Sequence, residues 1–166
     1  MLHTSVISAQ DAAALEQVRV LFREYQASLD VDLCFQDFET EVSTLPGVYS
    51  PPGGRLYLGC IDDEPACCGA LRAWDGDTAE MKRLYVRPSF RGRGYGLLLA
   101  RTIIHDAVSL HYHRLVLDTL PSMRTAQAMY EALGFRDIPP YRTNPVPGAR
   151  YMALNLTSRS IGRVHT

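Results

Sequence analysis

The stretch RLYVRPSFRGRGYG, Arg83 to Gly96, decides how this 166-residue sequence is read. Its first half closes the apolar run AEMKRLYV (79–86), which suits a strand covered on both faces. Its second half holds glycines and arginines with no acidic residue. LLLARTIIHDAVSL (97–110) follows, with Ala100, Ile103, Ile104, Ala107 and Val108 on one helical face. A strand, a glycine–arginine loop and a helix therefore stand in series. The first N–H groups of a helix lack internal acceptors, and its dipole adds partial positive charge there. Glycines let an anion approach that backbone, so Arg91, Gly92, Arg93, Gly94, Tyr95 and Gly96 read as a diphosphate cradle. No G-K-[ST] is present, which excludes a triphosphate P-loop, and Gly92-x-Gly94-x-Gly96 departs from the dinucleotide spacing G-x-G-x-x-G.

Before this stretch, DAAALEQVRVLFREYQASL (11–29) carries Leu15, Val18, Leu21, Phe22 and Tyr25 at helical spacing. FQDFETEVSTL (35–45) repeats the pattern with Phe35, Phe38, Val42 and Leu45 and stops at Pro46-Gly47. RLYLGCID (55–62) and ACCGALRAW (66–74) read as a hairpin about DDEP, and DGDT turns the chain into 79–86. RLVLDTL (114–120) is a short central strand. TAQAMYEAL (125–133) is a helix ended by Gly134, and RYMALNL (150–156) is a last strand. The order α-α-β-β-β-α-β-α-β, with a short extra strand at each end, predicts a mixed α/β domain of the α+β type. Its strand–helix–strand crossover predicts a parallel central pair. One domain over residues 1–157 is expected, with 158–166 as a loose polar tail.

Hydrophobic residues make up 46% and charged residues 21% of the chain, the balance of a soluble globular protein. A net charge of −1 gives no general attraction to nucleic acid or to membranes, so anion recognition has to be local. The four cysteines, Cys34, Cys60, Cys67 and Cys68, lack metal-ligand spacing and read as reduced thiols; no metal is expected. The absence of a signal-peptide pattern near Met1 and of a long apolar run makes a cytoplasmic location the simplest expectation.

LYVRPSFRGRGYGLLL resembles the acetyl-CoA-binding motif of the Gcn5-related N-acetyltransferases, [RQ]-x-x-G-x-[GA], with Arg91, Gly94 and Gly96 at its three fixed positions. AMYEALGF (128–135) resembles the second signature of that family, a tyrosine-bearing helix ending in Gly-Phe, and the helix and strand the family carries lie between the two. The resemblance implies an acyl-CoA N-acyltransferase fold whose central fourth and fifth strands splay apart. It also implies acetyl-CoA as co-substrate and a primary amine as acceptor. The main chain of Leu84, Tyr85 and Val86 would then pair with the pantetheine arm, and an N–H at or near Leu84 would polarise the thioester carbonyl. Dimers are common in the family, so a homodimer is compatible with it.

Two side chains stand where the family places its proton-transfer groups. Tyr130 matches the tyrosine that protonates the departing thiolate, although it also falls on the apolar face of its helix. Glu80 matches the general-base glutamate; the competing reading is a strand glutamate paired with Lys82 or an arginine. Strict alternation puts Glu80, Lys82, Leu84 and Val86 on one face and Met81, Arg83 and Tyr85 on the other, with Arg83 facing outward. Met123 replaces an asparagine that often contacts the cofactor, and Ser122 or Arg124 is the expected substitute. Arg72, Trp74, Arg83, Tyr141 and Arg150, with Arg142, Asn144 and Tyr151 nearby in sequence, could form an acceptor pocket that clamps a carboxylate. Solvated arginines and loop aromatics are the competing reading. Transfer to a small amine is thus expected, with a protein lysine or N-terminal acetyltransferase and a non-catalytic acyl-CoA-binding module as alternatives.

Overall fold

The computed structural model describes residues 1–29, 31 and 37–157. The expectations for Cys34, Phe35 and the 158–166 tail lie outside the described residues. Strand β1 (His3–Val6) precedes helices α1 (Ala12–Ser28) and α2 (Phe38–Ser43). The meander β2 (Arg55–Ile61), β3 (Glu64–Asp75) and β4 (Thr78–Val86) comes next, and then α3 (Tyr95–Ser109), β5 (Arg114–Thr119) and α4 (Arg124–Leu133). The short β6 (Arg136–Asp137) and β7 (Arg150–Asn155) close the chain. The extra strand expected at the N-terminus is β1, whereas the other short strand, β6, lies before the last long one.

One seven-stranded sheet has the order β1-β2-β3-β4-β5-β7-β6. Every neighbouring pair is antiparallel except β4 and β5, which are parallel as the crossover through α3 requires. The β2–β3 hairpin turns on Asp62 and Asp63, both left-handed at φ 49° and 64°, which matches the twist of the two strands. Helix α1 starts at Asp11, whose side chain accepts from the Ala14 N–H at 3.0 Å. It buries Leu15, Val18, Leu21 and Phe22 on one sheet face. Helix α3 covers the opposite face with Leu99, Ile103 and Ile104, and Tyr130 of α4 joins that second core. The sheet is therefore a central layer with α1 and α2 on one side and α3 and α4 on the other.

Strand β4 departs from regularity in two places. Its pairing with β5 covers only Thr78↔Arg114, Ala79↔Leu115 and Glu80↔Val116. Strand β5 then stays with β7 to Thr119↔Arg150 while β4 continues beside β3 only, so the sheet forks just beyond Glu80. The second departure is a β-bulge. Ala70 pairs with Lys82 and Cys68 with Tyr85, so two steps on β3 oppose three on β4, and Arg83 takes φ +59°. An extra residue bends its strand and reverses alternation downstream. Ala79, Met81, Leu84 and Val86 consequently share the α3 side, and Tyr85 packs on the α1 side. This corrects the strict alternation expected from the sequence. It also reverses the outward placement of Arg83, which is buried at 5% exposure beneath α2.

Candidate active site

The fork opens a cleft walled by Met81, Lys82, Arg83 and Leu84 of β4 and by Leu117, Asp118 and Thr119 of β5. Main-chain groups of β4 beyond Glu80 that face β5 have no strand partner there. Such groups cannot stay unpaired when buried. An extended chain bearing amides or carbonyls is the kind of occupant that satisfies them. Leu84, Tyr85 and Val86 stand along this free edge.

At one end of the cleft lies the glycine–arginine loop. Gly92 and Gly94 have φ of +78° and +82°, and nothing lies within 4 Å of a Cβ built on either. Their requirement is conformational rather than spatial. Gly94 is the N-cap of α3. Among the described residues, the N–H groups of Gly92 through Leu97 have no hydrogen-bond acceptor, so the loop and first helical turn present a run of donors. Arg91 braces this loop: its Nε donates to the Val86 carbonyl at 2.9 Å, and its guanidinium sits 5.7 Å from the centre of the Tyr85 ring. Arg93 is exposed, and Tyr95 and Gly96 are half-buried in the first turn. A Cβ at Gly96 would make only ordinary contact with Val86, at 3.5 Å.

Helix α4 flanks the cleft. Met123, its N-cap, lines the cleft and accepts a hydrogen bond at Sδ from the Thr119 hydroxyl at 3.6 Å, while Ser122 and Arg124 are exposed. Tyr130 lines it as well, its ring 5.6 Å from that of Phe135. The left-handed Gly134 ends α4 here, and the Phe135 N–H donates to the Tyr130 carbonyl at 3.0 Å, fixing both rings. Burial, with Tyr25 and Asp118 nearby, pushes the Tyr130 hydroxyl well above the usual tyrosine range. The hydroxyl makes no hydrogen bond to another described residue.

The opposite end is a compact charged and aromatic cluster. Glu80, fully buried at the fork, accepts from the Tyr141 hydroxyl at 2.6 Å and from Arg142 Nη2 at 2.7 Å. Pairing with an arginine, one of the two sequence readings, is therefore present, with Arg142 as partner. The Arg142 guanidinium lies 4.7 Å from the centre of the Trp74 ring, and Arg72 stacks on the same ring at 5.5 Å. Tyr141 packs edge-on to Trp74 and Tyr151. Lys82 is 7% exposed; burial first, with Arg83 adding to it, lowers its ammonium to about 8. Asn144 donates to Asp118 at 3.2 Å, which carries the 141–144 loop to the β5 wall. Arg72, Trp74, Tyr141 and Arg142 thus meet. Arg150 does not join them: it lies on the α4 side, bound to Asp137 at 2.8 Å and to Glu131 at 3.0 Å.

Sequence reading gave no site role to Tyr25, Asp118 or Glu41. Tyr25 was legible only as an apolar helix position. The Arg87–Glu24 ion pair at 2.6 Å and the edge-on Tyr25–Tyr85 contact hold α1 against β4 and bring Tyr25 to the cleft wall. Burial raises its hydroxyl to about 12.

The model of the acetyltransferase (GNAT) family matches residues 15–135. An uncharacterized N-acetyltransferase of Schizosaccharomyces pombe is 36% identical over 145 residues, 86% of this chain and 89% of that protein. Human N-acetylaspartate synthetase is 32% identical over 122 residues, 72% of this chain but only 39% of that protein. A GNAT family acetyltransferase from Elizabethkingia anophelis, solved with acetyl-CoA bound, shares the fold with a TM-score of 0.66 at 20% identity, over 93% of this chain and 98% of that one.

Proposed function

The chain belongs to the acetyltransferase (GNAT) family, and we propose that it moves the acetyl group of acetyl-CoA directly to the primary amine of a small, carboxylate-bearing acceptor. The observation that carries this reading is the fork. It joins an unpaired β4 edge, a donor-rich helix start and a buried tyrosine at one end to a cationic, aromatic cluster at the other.

Acetyl-CoA would supply the activated acyl group; the chain supplies everything else. The N–H groups of Gly92 to Leu97 and Arg93 hold the diphosphate, and Met123 packs alongside in the cleft. The main chain of Leu84 to Val86 aligns the arm, and an N–H at the bulge polarises the thioester carbonyl. Tyr130, protonated at neutral pH like any tyrosine and lining the cleft, delivers its proton to the departing sulfur. Glu80 draws off the amine's proton through water or the Tyr141 hydroxyl, since both its oxygens are already covered. Acceptor recognition falls to the other end. Lys82 lines the cleft, and Arg142, Trp74 and Arg72 gather around Glu80, where the fork begins. The likeness to a protein named for making N-acetylaspartate supports an acceptor with carboxylates. No described helix is long and apolar enough to cross a membrane, and a cytoplasmic enzyme is proposed.

Thiol release from acetyl-CoA, measured with matched amines that carry or lack a carboxylate, tests this function. Faster release with the carboxylate-bearing set is expected. Equal rates would remove the acceptor class, and release only with peptide amines would make the enzyme a protein acetyltransferase. Donor binding without release to any amine would leave a regulatory module.

A further inference from the structure

We propose that the buried Arg83–Glu41 pair is a positioning device that holds the β4 bulge in the shape the transfer step needs. The proposal rests on the reading of the bulge main chain as the donor to the thioester carbonyl. Arg83 is a non-glycine residue at φ +59° inside a strand, where glycine would be easier to accommodate. Its side chain explains its presence. Nε donates to Glu41 Oε2 at 2.8 Å and Nη2 to Oε1 at 3.1 Å, a two-pronged contact with the arginine side chain only 3% exposed. The guanidinium also lies 5.2 Å from the centre of the Phe38 ring. Glu41 and Phe38 both belong to α2, so the bulge is tied from above to a helix that buries Phe38 and Val42. From the sheet side, the Cys68 thiol donates to the Arg83 carbonyl at 3.5 Å. The peptide between Arg83 and Leu84 is therefore held from two directions, and both residues wall the cleft.

Stability alone gives a poor reason for this arrangement. A buried ion pair loses most of its attraction to desolvation, and apolar side chains of similar size hold elements together at least as well. The planar arginine fork does fix direction, because two parallel hydrogen bonds define one orientation. Direction matters most for a main-chain donor that must meet a developing charge.

Two variants test this. Glu41→Gln keeps the side-chain shape and removes the charge, and Arg83→Lys keeps the charge and removes the fork. Isotope-edited infrared spectroscopy reads the thioester carbonyl stretch of bound, carbonyl-labelled acetyl-CoA. Calorimetry gives the CoA dissociation constant, and kcat and KM are measured with the best amine. In wild type the stretch should lie below that of free acetyl-CoA. In both variants it should return toward the free value, with kcat down about 10–100-fold and CoA affinity unchanged. A stretch and kcat that stay at wild-type values overturn the positioning role, as does a kcat that falls only in step with CoA affinity. A wild-type stretch equal to that of free acetyl-CoA overturns the donor reading itself, and the clamp with it.

Discussion

Tyr130 and Lys82 both line the cleft, and burial shifts the titration of each. Tyr130 is protonated at neutral pH and can give a proton, although burial, by pushing its hydroxyl up, makes it a weaker acid than a free tyrosine. Tyr130→Phe should lower kcat about 10²-fold while leaving CoA affinity nearly unchanged, as steady-state rates beside calorimetry would show; unchanged turnover would end the acid role. Lys82 is lowered from 10.5 to about 8 because burial penalises its charge. Between those values the unfolded chain holds a proton that the folded chain has released, so folding is favoured more as pH rises. The urea midpoint of wild type, relative to Lys82→Met, should therefore climb from pH 8 to above pH 10, and a flat difference would show that the site does not depress this lysine. Glu80 is tested by Glu80→Gln, with the largest loss of rate at low pH, where free amine is scarce. A pH–rate profile identical to wild type would reduce Glu80 to a support for Tyr141 and Arg142.

At the scale of elements, the start of α3 and the bulge of β4 depend on unusual backbone in different ways. Gly94 caps α3 at φ +82° with open space around it, so Gly94→Ala meets no clash and bears only a conformational cost of about 1 kcal/mol, or about fivefold. That cost should appear as a raised KM for acetyl-CoA with the acceptor KM unaffected; equal changes in both would detach the loop from donor binding. The loop was legible in the sequence because glycine spacing before an apolar helix is a local pattern. The bulge was not. Its extra residue is an arginine, a residue type that gives no warning of left-handed backbone, and two-residue alternation carried through it put Leu84 and Val86 on the wrong face. The Glu80–Arg142 and Arg83–Glu41 links were hidden for another reason: each joins residues far apart in the chain, and nothing in either local stretch names its partner. Arg150, adjacent in sequence to Tyr151, shows the converse, since alternation along β7 sends the two to opposite faces.

For the whole molecule, the order of elements was readable because each helix and strand carries its own periodicity, and the crossover rule then sets β4 beside β5. The fork comes from competition between neighbours. Strand β5 keeps its full ladder with β7, β4 keeps its ladder with β3 through the bulge, and the two diverge beyond Glu80. Everything proposed for the chemistry depends on that gap and the start of α3 forming one donor site. Hydrogen exchange of backbone amides with and without acetyl-CoA tests this most directly. Slowed exchange concentrated at Leu84 to Val86 and Gly92 to Leu97 is the expected result. Protection elsewhere, with these two segments unchanged, would contradict it.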